Sequence, residues 1–328
     1  MARAWHLASR PEGMPTAANF ALTNLPNTSL ADGEVRVRNR WLSVDPYMRG
    51  RMNDVKSYVP PFAVGAPLEG GAVGEVVESH ADGLVPGDLV NSMLGWRDEA
   101  VGPAAAFTKL PALGVDPQQW LGNLGLTGAT AYFGLLRVAA AKEGDVVFVS
   151  SAAGAVGSAV VQIAKARGMT VIGSAGGADK CAWVRELGAD ACVDYKAEPI
   201  VKGLMAAAPK GIDVYFDNVG GEHLDAAFAA ARNKGRFVIC GMIDGYNGGD
   251  PAQFRYMMRI IAARIRVEGF IFTDYLPEMP EFIRDMAGWI AGRQVTSRET
   301  VHDGLESAPD AFLGLFSGGN MGKMLVRL

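Results

Sequence analysis

The stretch "DVVFVSSAAGAVGSAVVQIAKARG" (145–168) constrains the chain more than any other. An apolar run of strand type meets two glycines, Gly154 and Gly157, and then a helical pattern ending at Gly168. The same alternation recurs: "TVIGSA" (170–175) before "ADKCAWVRELG" (178–188), then "ACVDY" (191–195), "GIDVYFDNVG" (211–220), "EHLDAAFAAARNKG" (222–235) and "RFVICGMI" (236–243). Continuous apolar strands alternating with helices fit a parallel sheet covered on both faces, because only burial on both sides removes the usual polar alternation. Gly168, Gly188 and Gly235 are placed as glycines just past helix ends. The expected class is α/β, with a doubly wound domain starting near residue 120. It runs through "RIRVEGFIF" (264–272) and an amphipathic helix in "MPEFIRDMAGWIAGRQ" (279–294).

A chain of 328 residues exceeds what one hydrophobic core holds, so a second domain is expected. Its texture is visible between about residues 30 and 115, where "GEVRVRNRWLSVDP", "GGAVGEVVES" and "PGDLVNSM" are short β runs broken by Gly, Pro and Asp, as in a compact barrel. The tail "NMGKMLVRL" reads as a strand returning to that unit. With 20% charged residues and a formal net charge of −4, the chain lacks the basic excess that nucleic-acid binding requires. Cys181, Cys192 and Cys240 are scattered without histidines at ligand spacing, which fits neither a disulfide framework nor a metal site. No apolar run is long enough for a membrane span, no leader pattern opens the chain, and a cytoplasmic location is expected. The histidines His6, His80, His223 and His302 read as structural.

The order strand, glycine turn, helix is the one a dinucleotide site needs, since pyrophosphate sits on backbone N–H groups at a helix N-terminus. Ser151 stands where the first glycine of G-x-G-x-x-G belongs, which still permits a turn, though a slightly wider one. Gly154 and Gly157 would equally serve close helix packing in an unrelated α/β protein. The second strand adds information. Where a site for NAD carries an acid for the ribose 2′-hydroxyl, this chain has "GSAGGADK" (173–180), with Ser174, Gly176, Gly177 and Lys180. A hydroxyl, backbone amides and a lysine suit a 2′-phosphate, so the expected cofactor is NADP(H). Asp179 beside Lys180 suits helix capping, and Lys180 also reads as a solvated surface charge.

Several stretches together resemble the zinc-independent medium-chain dehydrogenase/reductases of the leukotriene B4 dehydrogenase and prostaglandin reductase type, which include curcumin reductases and alkenal double-bond reductases. They are "LSVDPYMRGRM" (42–52), "GATAYFGLL" (128–136), "AAGAVGS" (152–158), "VIGSAGGADKC" (171–181), "KGIDVYFDNVGG" (210–221), "VEGFI" (267–271) and "GLESAPDAFLGLFSGGNMGK" (304–323). The resemblance implies a GroES-like β-barrel domain over 1–119 and 295–328, a Rossmann NADP-binding domain over 120–294, a site in the cleft between them and a homodimer. It places Ala153, Gly154, Ala155 and Val156 at the pyrophosphate, and Ser174, Gly176, Lys180 and Tyr195 around the 2′-phosphate. Leu126, Thr130, Asn218, Cys240, Ile243, Phe270, Phe272 and Asn320 complete the cofactor contacts. Tyr246 stands nearest the substrate carbonyl, and Tyr47 is substrate-proximal. On the residues alone, Tyr195 also reads as a packing tyrosine, Asn218 as a turn residue and Tyr47 as part of an ordinary Asp-Pro turn.

The implied activity is NADPH-dependent reduction of the activated C=C bond of an α,β-unsaturated ketone or aldehyde. Hydride delivery to the β-carbon leaves negative charge on the carbonyl oxygen, so a donor must face that oxygen. "LEGGAVGEV" (68–76) lacks the G-H-E signature of a catalytic zinc site, which leaves a hydroxyl, and Tyr246 is the candidate, assisted by the nicotinamide ribose. Departures from the family pattern cluster near the substrate: Leu126-Thr127-Gly128 for the usual Met-Pro-Gly, and Asp244-Gly245 before Tyr246 where serine is usual. Gly248 and Gly249 suggest a mobile flap. A zinc-free quinone reductase is the alternative activity, and a non-catalytic NADPH-binding module the alternative class.

Overall fold

The computed structural model describes residues 1–328 and divides into two compact units. One comprises Met1–Leu121, Glu299–Asn320 and Met324–Leu328, the other Gly122–Arg298 and Met321–Lys323.

The second unit is built on six parallel strands: β1 (Val146–Val149), β2 (Thr170–Ala175), β3 (Ala191–Asp194), β4 (Ile212–Asp217), β5 (Ala231–Ile239) and β6 (Arg266–Gly269). Their order in the sheet is β3-β2-β1-β4-β5-β6. Val147, Phe148, Val149, Val214, Tyr215 and Phe216 are fully buried, as strands covered on both faces must be. Phe148 stacks on Tyr215 at 5.0 Å and Phe237 meets Tyr215 edge-on at 5.5 Å, tying β1, β4 and β5 into one core. The helices are α1 (Leu126–Phe133), α2 (Ala155–Ala166), α3 (Ala178–Glu186), α4 (Ile200–Ala207), α5 (Gly221–Ala230), α6 (Arg259–Ala263) and α7 (Met279–Ala291). Strand order reverses between β1 and β4, and in such sheets the crevice beyond the C-terminal ends of those strands is the ligand position.

Two sequence expectations are corrected here. The helix in "EHLDAAFAAARNKG" stops at Ala230, and Gly235 lies inside β5. The reason is the pairing of β5 with β4, in which Ile212 faces Ala231 and Val214 faces Arg236. The excess residues bulge outward, and Lys234 takes the left-handed conformation at φ 64°. Gly168 and Gly188, at φ 75° and 105°, do follow helix ends. Asp179 is not a cap: Gly177 holds that position at φ 107° with no side-chain bond, and Asp179 sits in the first turn, where its charge favours the helix dipole.

The first unit is antiparallel. Strand Glu34–Ser43 pairs with Ala72–Ser79 over its length, with Glu99–Pro103 at its first half and with Lys323–Arg327 at its end. Two register shifts in the pairing with Ala72–Ser79, at Arg36/Val37 and Asn39/Trp41, let one strand serve these partners as the sheet bends. Phe20 stacks on Trp96 at 5.8 Å and Phe312 meets both edge-on, so residues after 304 complete a core begun at the N-terminus. No helix is long and apolar enough to cross a membrane.

Met324, Leu325 and Val326 are 2%, 0% and 0% exposed. Burying three such side chains stabilises by roughly 5–8 kcal/mol, the size of a whole domain's margin. A chain ending at Asn320 is therefore expected to lose the cooperative thermal transition of its first unit; a melting curve matching that of the full chain would refute this.

Candidate active site

Between β1 and α2 the chain turns tightly. Ser151 occupies the left-handed region at φ 50°, and its carbonyl accepts the Gly154 N–H at 2.9 Å. The serine in this conformation carries a backbone strain of about 1–2 kcal/mol. A Cβ at Gly157 would stand 2.2 Å from the Ser151 carbonyl oxygen, so this glycine is required for α2 to approach the turn. Gly154 is the N-cap in extended conformation with no side-chain cap, and Ala155 and Val156 open the helix. The amides of this first turn have no intrahelical acceptors. Ala153, 4% exposed, accepts the Gly322 N–H at 2.8 Å on its carbonyl, and Gly322 bridges Gly154. The tail thus clamps the turn from outside. Asn320 is half-buried in the first unit, two residues before that clamp.

Ser174 at the end of β2 receives the Ala152 N–H on its carbonyl, while its fully buried hydroxyl has no partner in the protein. Beyond it, a Cβ at Gly176 would lie 2.6 Å from the Tyr195 hydroxyl, so only a glycine lets Tyr195 lean over this turn. Tyr195 is 41% exposed and meets the His223 ring edge-on at 5.2 Å. Burial and the charge of Lys196 hold the Lys180 ammonium below the ordinary lysine range. Asp194 ties two turns together: its Oδ1 accepts the N–H groups of Gly177 and Lys196 at 2.9 and 3.0 Å. The uncapped helix, the glycine cradle and the lysines at the second turn fit a dinucleotide carrying a 2′-phosphate.

The opposite end is organised by Asp217, which is fully buried at the end of β4. Its Oδ1 accepts Tyr215 Oη–H (2.7 Å), Ser150 Oγ–H (3.2 Å) and the N–H groups of Val219 (2.9 Å) and Gly220 (2.8 Å). Burial raises this carboxyl above its usual range even though these donors pull it down, and Oδ2 is buried without a partner. Asn218 is locked beside it: its amide donates to the Ser150 carbonyl at 2.7 Å and accepts the Cys240 thiol at 3.0 Å. Burial and the Asp217 charge push the Cys240 thiol well up, so it acts as a hydrogen-bond donor and not as a thiolate.

The segment after β5 is laced onto this turn. Cys240 and Gly241 donate to the Asp217 carbonyl, Ile243 to that of Asn218 and Asp244 to that of Val219, at 3.0 to 3.4 Å. Tyr246 follows directly, half-buried, with its hydroxyl accepting the Met242 N–H at 3.3 Å. Phe270 packs edge-on to Phe216 at 6.4 Å, and a Cβ at Gly134 would come within 2.6 Å of both rings. Gly134 opens a short π-helical turn after α1, a geometry common at functional sites. Leu126 and Thr130 lie half-buried on α1, with Thr130 Oγ1 donating to the Leu126 carbonyl, and Phe272 is half-buried in the turn after β6. Structure thus brings Asn218, Cys240, Ile243 and Tyr246 together. Tyr47 belongs to the first unit, where its hydroxyl is buried without a partner and burial, with Asp45 nearby, raises it well above the ordinary tyrosine range.

Residues 3–110 match the family described as the N-terminal domain of oxidoreductase, and residues 155–288 the one described as zinc-binding dehydrogenase. Escherichia coli NADPH-dependent curcumin reductase is 41% identical over 333 residues, covering 99% of this chain and 96% of its own length. Nicotiana tabacum 2-alkenal reductase (NADP(+)-dependent) is 41% identical over 321 residues, covering 96% and 94%. The crystal structure of CurA in complex with NADPH from Vibrio vulnificus superposes with a TM-score of 0.94 at 41% identity, over 99% of this chain and 98% of that one. The chain belongs to the zinc-independent medium-chain dehydrogenase/reductases.

In this member of the family, no group of three or more His, Cys, Asp or Glu side chains converges that could hold a metal ion. Sequence reading missed Ser150, Asp217, Gly322 and the π turn at Gly134. Gly322 and Asp217 lay within the quoted family motifs, but only the three-dimensional pairing shows what each one holds.

Gly157→Ala is expected to destabilise the second unit by about 1–3 kcal/mol and weaken NADPH binding at least tenfold; unaltered binding measured by fluorescence titration would contradict the cradle. His223 is 7% exposed and burial brings its pKa down to about 4 from 6.5. The unfolded chain then binds more protons than the folded one, so roughly 3 kcal/mol of stability is lost as pH falls from 6.5 to 4. Urea midpoints for wild type and His223→Gln should converge over that interval; parallel pH curves would rule it out.

Proposed function

We infer that this chain reduces the activated C=C bond of α,β-unsaturated ketones and aldehydes with NADPH. The observation that carries the reading is the likeness, over nearly the whole chain, to NADPH-dependent curcumin reductase and NADP(+)-dependent 2-alkenal reductase, joined to a cofactor turn that places Lys180 beside Lys196. When bound, NADPH supplies the hydride for the β-carbon. The chain's residues do the rest. Ala153 and Gly154, with the amides of Ala155 and Val156, would sit at the pyrophosphate, and Lys180 and Tyr195 would hold the 2′-phosphate. Ile243, Cys240, Asn218 and Phe270 fix the nicotinamide end, with Leu126, Thr130, Phe272 and Asn320 as further cofactor contacts.

Tyr246 donates to the carbonyl oxygen as enolate charge develops there. Accepting the Met242 N–H strengthens its hydroxyl as a donor, since bonds in series polarise one another. Tyr47 lines the substrate side. Tyr246→Phe should lower kcat on an enone roughly ten- to hundredfold while leaving NADPH affinity within twofold; an unchanged rate would remove Tyr246 from the mechanism.

The enzyme works as a homodimer in the cytoplasm. Strand β6 is exposed along its length and paired on one side only, and Met257, Met258 and Ile261 beside it are 52%, 74% and 73% exposed. Such an edge is a template for a second copy, and three free thiols suit a reducing compartment. Ile261→Asp should shift sedimentation toward monomer. The reaction itself is tested by following NADPH oxidation with a linear enone, a 2-alkenal and a small quinone: turnover of the first two supports the reading, and turnover of the quinone alone replaces it with a quinone reductase.

A further inference from the structure

Lys196 has no role in the site as described, yet its position is built. Its backbone N–H is held by Asp194, the same carboxylate that holds the N–H of Gly177, so the turn after β3 and the turn before α3 share one anchor. A Cβ at Gly176 would stand 3.0 Å from Lys196 Cε and 2.6 Å from the Tyr195 hydroxyl. Both side chains therefore converge over one bare glycine. Lys180 approaches the same place from α3, close enough that the positive charge of Lys196 adds to burial in disfavouring its own.

The repulsion between the two ammonium groups is a cost that Lys196 adds beside a tyrosine hydroxyl and a glycine. A dianion between them reverses the sign of that cost, because each ammonium then faces negative charge. An ordinary exposed lysine, such as Lys202 on α4, has no such anchor or neighbour.

We propose that Lys196 is a second cation for the 2′-phosphate of NADPH and a determinant of the preference for NADPH over NADH. The inference rests on the NADPH reading above and adds a residue to it. Because Lys196 is exposed, its ammonium contributes as a point charge rather than through fixed geometry, so arginine should replace it.

The test is calorimetric titration of the full-length protein with 2′,5′-ADP, which carries the phosphate, and with 5′-AMP, which lacks it. Lys196→Ala is expected to weaken 2′,5′-ADP about tenfold and leave 5′-AMP within twofold, with Lys196→Arg restoring most of the loss and Lys202→Ala changing neither. The weakening should shrink at high salt, as screening removes a point-charge contribution. Unchanged 2′,5′-ADP affinity in Lys196→Ala, or equal weakening of both probes, overturns the role of Lys196 alone. A wild-type protein that binds the two probes equally overturns the NADPH reading together with it.

Discussion

One buried carboxylate organises the reactive end of this protein. Asp217 Oδ1 gathers a hydroxyl from β4 itself, a hydroxyl from the end of β1 and two amides of the following turn. Its backbone carbonyl receives the chain again as it leaves β5. A charge withdrawn from water survives only if such donors replace the lost hydration. The shape of the turns that hold Asn218, Cys240 and Tyr246 is the geometry that satisfies that demand. Because these bonds share one acceptor, the turn responds as a unit, and displacement of any donor is felt at the others.

The far end of the cofactor site uses a different device. There the turns are shaped by glycines, and precision comes from close approach. Gly157 lets α2 touch the turn, Gly176 lets Tyr195 lean across, and Gly322 secures the carbonyl of Ala153 from the tail. Gly322 sits at φ 72°, with the Arg298 carbonyl 1.9 Å from where a Cβ would be, so no other residue fits that clamp. Local strain at Ser151 persists because these packed neighbours leave the turn no alternative.

Much of this was legible in the sequence. The parallel sheet announced itself through uninterrupted apolar strands, and the glycine turn through its place between strand and helix. In "GSAGGADK" the turn itself, Ser174 to Gly177, carries no acid and Lys180 follows, which already pointed to a phosphate. What escaped has a physical reason in each case. The end of α5 was misplaced because alanines favour helix whatever follows, whereas pairing with β4 decides that Ala231 is already strand. Asp179 resembled a cap only because Gly177, at a backbone angle closed to other residues, was not seen to hold that position. Asp217 and Gly322 act through partners far along the chain, which spacing does not encode.

The central claim is that hydride reaches the β-carbon of the enone and not its carbonyl carbon. Reduction of an enone with NADPH deuterated at C4 of the nicotinamide, followed by NMR of the product, tests it directly. The account predicts a saturated ketone with deuterium on the β-carbon and the carbonyl intact. Deuterium on a carbinol carbon, in an allylic alcohol with its double bond retained, would contradict it.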